Sequence, residues 1–446
     1  MSNFDNHFSL SSIVLNITNH CNLQCSYCFE KEKAPTFMTE EDAIRILDIA
    51  YSNFKQNHKS GVLGVAFFGG EPTLNYKVIR AVVEHANKNN YKCSFGITTN
   101  LVILTDEMIE FFDDNDIHIM VSIDGTKEIH DKNRCGSYDV VANNVKRLIE
   151  AGMVRLVEAR MTLPPQEIYA MFDGVKNIID LGIDNINPFF TTDSQWNKDQ
   201  FLTLLVETEK LINYTIELAE DATNKRNISI KTVEDLIMNC FQYDHKDAIP
   251  CAFGGNAFVS FDTNGDMMPC HQRHYISNKQ DDLVIGNVLT DTIVEKNILG
   301  KTKPHSWCSE IETLNCVTCE AYNICRGWCP SENIDSRQDA SITPAIICYY
   351  NLAMVQLIPH YQNKILNAKN LRSHQLNKLK FNLCVMEKLK DLKRLEITTN
   401  EFMCKVIEFQ SILTTEEHLL LPSFRARITD EFLELKQIIT AIKEVK

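Results

Sequence analysis

Between residues 12 and 190, short apolar runs alternate with longer stretches whose apolar residues recur every three or four positions. Ser12–Asn16 (SIVLN) predicts a strand. The continuous run VLGVAFF (62–68) predicts one buried on both faces. Further strands are expected near 92–98, 117–123, 154–163 and 184–190. Between them the period lengthens to that of a helix. One helix is expected after Thr39, whose hydroxyl can cap the first free amides of EEDAIRILDIAYSNF, and others near 75–89, from Thr105, near 139–151 and near 166–181. In the fourth, Val141, Val145, Leu148 and Ile149 fall on one face. Six βα units in series predict an α/β fold, its parallel strands joined by right-handed crossovers, either as an open sheet or as a partial (β/α)6 TIM-type barrel.

After residue 190 the pattern changes. Residues 191–250 predict a helical bridge containing FLTLLVETEKLINYTIELAEDA. Residues 251–350 are rich in turns and cysteine, and FVSFDTNGDMMPC predicts a β-hairpin turning at Asp262–Gly265. Residues 351–446 hold only Pro359 and Pro422 and no glycine, and predict a mostly helical region. The expected domains are therefore 10–190, 191–250, 251–350 and 351–446.

Composition narrows the class. A chain of 446 residues with 44% hydrophobic and 23% charged residues is neither disordered nor fibrous. A net charge of -14 argues against nucleic acid or an anionic membrane as the partner. No apolar stretch approaches the roughly 20 residues that cross a bilayer. MSNFDNHFSL lacks the basic start of a secretory signal, so a cytoplasmic protein is expected. In that reducing setting the 16 cysteines are the anomaly. Three fall in one loop and seven of the eight between 251 and 348 belong to a second group, at spacings that suit metal or iron–sulfur ligation.

In folds of this kind the ligand lies beyond the C-terminal ends of the strands. The polar and glycine-rich residues cluster there. They are Cys21, Cys25 and Cys28 after the first strand and Gly69-Gly70-Glu71 after the second. Asn100 ends the third, Ser122 and Asp124 the fourth, Arg160 the fifth, and Phe189-Phe190 the sixth. Three thiolates from one loop leave zinc short of its usual fourth ligand, whereas a cubane cluster so held keeps one iron open.

The loop Cys21-Asn-Leu-Gln-Cys25-Ser-Tyr-Cys28 resembles the signature of radical S-adenosylmethionine (SAM) enzymes, a resemblance that spans roughly 10–190. It implies that Cys21, Cys25 and Cys28 hold a [4Fe–4S] cluster whose open iron binds SAM. It also implies reductive cleavage of SAM to a 5′-deoxyadenosyl radical, the protein supplying position and exclusion of water. By the same resemblance Tyr27 packs near the adenine and Gly69-Gly70-Glu71 meets the methionyl amine. Ser122 and Arg160 reach the SAM ribose or carboxylate, with Asn100 and Asp124 as further contacts and Phe189 and Phe190 bordering the adenine. An electron donor such as flavodoxin or ferredoxin is implied.

The second cysteine group resembles the SPASM extension of these enzymes. That implies a small cysteine-rich domain with two auxiliary [4Fe–4S] clusters, three clusters in all. Cys251, Cys270 and Cys329 would hold the first, and Cys316, Cys319, Cys325 and Cys348 the second. Fuller members carry one more cysteine, so the first auxiliary cluster keeps an open position. Cys308, His271, water and a substrate thiolate are the alternatives for filling it.

Such enzymes modify peptides or proteins. The reading that follows is oxidative modification of a ribosomally made precursor peptide, as a thioether or other crosslink to a substrate carbon. The alternative is an anaerobic sulfatase-maturing enzyme forming formylglycine. In that family an Asp follows the second SPASM cysteine, where His271 stands here, a side chain that titrates near neutrality and is the candidate base. A non-catalytic iron–sulfur redox protein is the reading from another class, but it needs no Gly-Gly-Glu loop.

Overall fold

The computed structural model describes residues 3–30, 33–221, 223, 225–241, 253, 256–274, 283–294, 308–309, 316–337, 339 and 341–367. Cys251 and the expected helices beyond residue 367 lie outside them, as does the end of the bridge. The chain divides into two units, Met1–His360 and Tyr361–Lys446, and every strand of the described residues lies in the first.

The strands of the main sheet are β1 (Ser12–Asn16), β2 (Leu63–Phe68), β3 (Cys93–Thr99), β4 (His118–Ser122), β5 (Val157–Leu163), β6 (Asn185–Phe190), β7 (Ser229–Ile230), β8 (Phe258–Phe261), β9 (Asp266–Met268), β10 (Gly286–Asn287) and β11 (Thr292–Ile293). Strands β1 to β7 lie side by side in chain order, all parallel, as a partial TIM-type barrel. At the other edge β8 runs parallel to β1 and begins an antiparallel extension through β9, β10 and β11. The expected hairpin is thus β8–β9. It continues the main sheet instead of forming a sheet of its own.

Helices cover the outer face. The helix Glu40–Asn57 starts where the Thr39 hydroxyl accepts from the Asp42 amide, and it buries Ala43, Ile46, Leu47, Ala50 and Phe54. Burying Ile46, Leu47 or Phe54 stabilises the fold by about 1.5–3 kcal/mol each. Thr105 caps Asp106–Asp114 in the same way. The bridge holds the helix Lys198–Glu220, started by a reciprocal cap between Asn197 and Gln200, and the helix Lys231–Phe241.

One sequence expectation fails at β2. Its residues alternate between buried and half-buried, and so do those of β5. Only the face beneath the helices is closed. Ala66 and Phe68 on the other face line a cavity, which is why a run apolar at every position is not buried on both sides.

Candidate active site

The inner faces of β1 to β6 enclose a cavity of about 490 Å³ at their C-terminal ends. Every strand supplies a wall residue, including Val14, Phe68, Thr98, Ser122, Arg160 and Phe189. The lining is completed by Cys21, Cys25, Tyr27 and Cys28 and by His271, Gln272, Glu332 and Asp335. The two cysteine-rich regions of the chain therefore face one space.

The loop after β1 is held from several directions. The Ser26 amide donates to the Asn133 carbonyl at 2.9 Å, and the Ser26 hydroxyl to Asn133 Oδ1 at 2.9 Å. The Leu23 amide points at Cys21 Sγ, 3.4 Å away. Burial pushes the Cys21 thiol up to about 11 and raises those of Cys25 and Cys28. Such thiols become ligands only when a metal centre supplies the positive charge that displaces their protons. Among the described residues, no three His, Cys, Asp or Glu side chains close on a point as one metal ion requires. A cubane places its thiolates on separate irons, so three thiols spread around one cavity wall fit that group.

Gly69 and Gly70 serve this loop directly. Gly69 has φ +143, and a Cβ there would lie 2.3 Å from the Thr18 carbonyl oxygen. At Gly70 a Cβ would lie 2.3 Å from that of His20. The amides of Gly70 and Glu71 donate to those two carbonyls at 2.8 and 2.9 Å. The glycines thus admit the backbone of the cysteine loop as well as lining the cavity. Glu71 is buried and organises the next turn. Its Oε1 accepts from the Thr73 amide, the Thr73 hydroxyl and the Thr99 hydroxyl, and its Oε2 from the Asn100 amide at 2.7 Å. The Asn100 side chain reaches back to Asn22 Oδ1 at 2.8 Å and Cys21 Sγ at 3.9 Å.

Ser122 and Arg160 are register partners on β4 and β5 and both face the cavity. The Arg160 guanidinium lies over the Phe189 ring, 3.5 Å from its centroid. Phe190 also lines the cavity and packs against Trp196 and Tyr350. Asp124 departs from expectation. It is fully buried and does not line the cavity, because its carboxylate is spent on protein donors. Oδ2 accepts from the Tyr27 hydroxyl at 2.5 Å and from Arg134 Nε at 2.9 Å, and Oδ1 from the Thr162 amide. Through these bonds Asp124 positions Tyr27 and Arg134.

In the second cysteine group, Cys348, Cys316 and Cys319 all act electrostatically on Cys325, whose thiol burial pushes up to about 12. The four expected to act together are thus neighbours. Cys329 is close enough to Arg160 to act on it, and Cys270 packs against a small core of Phe253, Met268, Leu283 and Ile334. His271 packs against Phe68 and Phe29, at ring distances of 4.3 and 6.4 Å. Desolvation there, with the guanidiniums of Arg160 and Arg273, pushes it down to about 4. This corrects the expectation that it titrates near neutrality: the ring is neutral at pH 7.

Sequence reasoning missed the helix Lys127–Asn133 and the residues it presents, His130 and Arg134. Seven residues give too few apolar repeats to show a helical period. It also missed Glu30, Lys33 and Glu332, which line the same cavity. Burial pushes Glu30 up to about 8.

Comparison with known proteins agrees with this geometry. The pattern of the Radical SAM superfamily matches residues 15–179. A cysteine-type anaerobic sulfatase-maturating enzyme of Clostridium novyi (strain NT) is 26% identical over 337 residues, 72% of this chain and 88% of the relative. The radical SAM cyclopropyl synthase TigE of Paramaledivibacter caminithermalis is 25% identical over 344 residues, 72% of this chain and 68% of TigE. Among solved structures, anSMEcpe with bound AdoMet and Cp18Cys peptide matches with a TM-score of 0.59 at 19% identity, covering 78% of this chain and 99% of that one. Streptococcus suis SuiB bound to the precursor peptide SuiA matches at 0.56 and 18%, covering 77% of each chain. Residues 15–179 are thus a radical SAM domain, and the described part of the chain folds like the SPASM-type radical SAM enzymes.

Proposed function

We propose that the chain is a radical SAM enzyme that oxidises a ribosomally made peptide at a substrate carbon, forming a thioether or other crosslink. The observation that carries this reading is the shared cavity, lined by Cys21, Cys25 and Cys28 and by His271 and Glu332. Cys21, Cys25 and Cys28 hold the SAM-binding cluster in this reading, and Ser122 and Arg160 hold the SAM carboxylate. SAM and its cluster, when bound, supply the abstraction of a hydrogen atom from the substrate. The chain's own residues exclude water and orient the peptide, and the neutral imidazole of His271 accepts the proton released when the new bond forms. The proximity of Cys316, Cys319 and Cys348 to Cys325 supports one auxiliary cluster; Cys251, Cys270 and Cys329 are assigned to another. The 10–190, 191–250 and 251–350 divisions belong to the same reading, as radical SAM core, bridge and auxiliary-cluster region. So does an electron donor of the flavodoxin or ferredoxin kind.

Formylglycine formation is the second reading, favoured by the 26% identity to the Clostridium novyi enzyme. Against it stands His271 in place of the Asp that the sulfatase-maturase resemblance calls for. One experiment tests both. Protein reconstituted anaerobically with iron and sulfide, then reduced with SAM and a Cys-containing peptide, is expected to release 5′-deoxyadenosine. Loss of two hydrogens with the sulfur retained identifies a crosslink. Exchange of the sulfur for a carbonyl oxygen identifies formylglycine and overturns the first reading. No SAM cleavage at all overturns both.

A further inference from the structure

One buried cation touches the cysteine loop and has no part in the readings above. Arg134 follows the short helix Lys127–Asn133, and its amide donates to the His130 carbonyl at 2.7 Å. The side chain turns under the loop, and 8% of it is exposed. Its Nε is paired with Asp124 Oδ2 at 2.9 Å, its guanidinium lies 5.3 Å from the Tyr27 ring centroid, and its Nη1 points at Cys25 Sγ, 3.7 Å away. No other described group donates a side-chain N–H to Cys25 in the structure, and the planar fork of arginine lets one residue meet a carboxylate, a ring and a sulfur together.

The fork cannot drift. Asp124 is fixed by the Thr162 amide and the Tyr27 hydroxyl, and its own amide donates to His130 Nδ1 at 3.2 Å. A neutral His130 whose Nδ1 accepts carries its proton on Nε2, which meets the Ser137 hydroxyl at 2.9 Å. That hydroxyl donates to the Arg134 carbonyl at 2.7 Å and closes the ring of contacts around the arginine.

We propose that Arg134 is a positioning residue of the SAM-binding cluster, its Nη1 donating to the Cys25 sulfur so that the cluster is easier to reduce. The inference rests on the reading of Cys21, Cys25 and Cys28 as cluster ligands. Reduction adds a negative charge to the cluster. A buried guanidinium bonded to a ligating sulfur stabilises the reduced state more than the oxidised one, and hydrogen bonds to the sulfurs are among the known determinants of such potentials.

The test is the midpoint potential of the cluster in wild type, R134Q and R134K, read by electron paramagnetic resonance during a redox titration. Only the SAM-binding cluster changes its signal when SAM is added, so the SAM-sensitive component is followed and the auxiliary clusters do not interfere. A downward shift is expected in R134Q, with a smaller one in R134K, which keeps the charge without the fork. SAM cleavage in R134Q should fall by a larger factor with a weak reductant than with a strong one. Because R134Q leaves Asp124 buried without its partner, the D124N/R134Q variant is measured alongside, and it is expected to show the same low potential. A wild-type potential in either variant overturns the proposal. So does loss of the SAM-sensitive signal in all three variants with the remaining iron and the fold intact, which would make Arg134 a folding element of the loop. Absence of that signal in the wild type overturns the reading of the three cysteines instead.

Discussion

A buried carboxylate must find donors for the lone pairs it withholds from water, and Glu71 finds them in Thr73, Thr99 and Asn100. Glu71→Gln places an NH2 group against one of these N–H or O–H donors. A loss of about 1–3 kcal/mol in stability is expected, together with weaker SAM binding, because Asn100 and the Cys21 loop hang from the same turn. Denaturant unfolding and SAM titration measure the two effects separately. At His130 the prediction concerns pH. Burial and Arg134 push this imidazole from 6.5 down to about 4, so the folded state keeps it neutral. A depressed value contributes stability that is present above 6.5 and lost as pH falls toward 4, amounting to at most about 3 kcal/mol. In His130→Asn the amide oxygen can take over from Nδ1 without titrating, so the fall in stability below pH 6.5 should be shallower. Equal slopes in the two proteins would remove His130 as a cause. Cys21, Ser122 and Arg160 could be placed on one rim from the sequence because the strands that precede or carry them have a clear pattern. Glu71 was legible as a motif, but its partners were not, since Thr99 and Thr73 meet it only after folding. Asp124 misled for the same reason. A strand-end acid reads as a ligand until Tyr27 and Arg134 are seen to occupy it.

At the scale of elements, local chemistry gave the helices their starts. Thr39 and Thr105 each supply the capping oxygen that the free amides of a first turn need. The hairpin was legible too, since Asp262 Oδ1 accepts from the amides of Asn264 and Asp266 and so folds the turn by itself. The pairing of β8 with β1 was not legible. It joins residues far apart in the chain, and it is driven by the open edge that a partial barrel leaves beside β1. The cysteine loop and the Gly-Gly-Glu turn form a comparable non-local pair, with a sharp consequence. In Gly70→Ala the new Cβ would sit 2.3 Å from the His20 oxygen and 2.6 Å from its carbon, both backbone atoms that cannot rotate aside. The turn and the loop must separate. The expected outcome is loss of about one cubane, roughly four irons, with circular dichroism unchanged, since the sheet and helices do not depend on that contact. Wild-type iron content in Gly70→Ala would show that the loop tolerates the separation.

At the scale of the molecule, the two cysteine groups depend on different elements. Cys21, Cys25 and Cys28 sit on the loop leaving β1, whereas Cys325 ends the helix Tyr322–Cys325 and Cys348 lies in the helix Ala345–Leu357. The region of the second group reaches the cavity through other side chains: β8 and β9 lead to His271, and the helix Pro330–Arg337 supplies Glu332, whose carboxylate is held by Thr192 and Trp328. Such a division predicts separable iron. Three cubanes imply about twelve irons per chain in reconstituted wild type, and replacing Cys21, Cys25 and Cys28 together by Ala should leave about eight. That variant should release no 5′-deoxyadenosine, because no other cysteine of the described residues lines the cavity. Its fold should survive, since the removed sulfurs belong to a loop and not to the sheet. Iron analysis with a SAM-cleavage assay on the same preparation decides the matter. Undiminished cleavage would take the SAM-binding cluster away from these three cysteines. Only about four irons in the wild type, with zinc bound in the second group, would remove the auxiliary clusters and leave residues 316–348 as a structural zinc site.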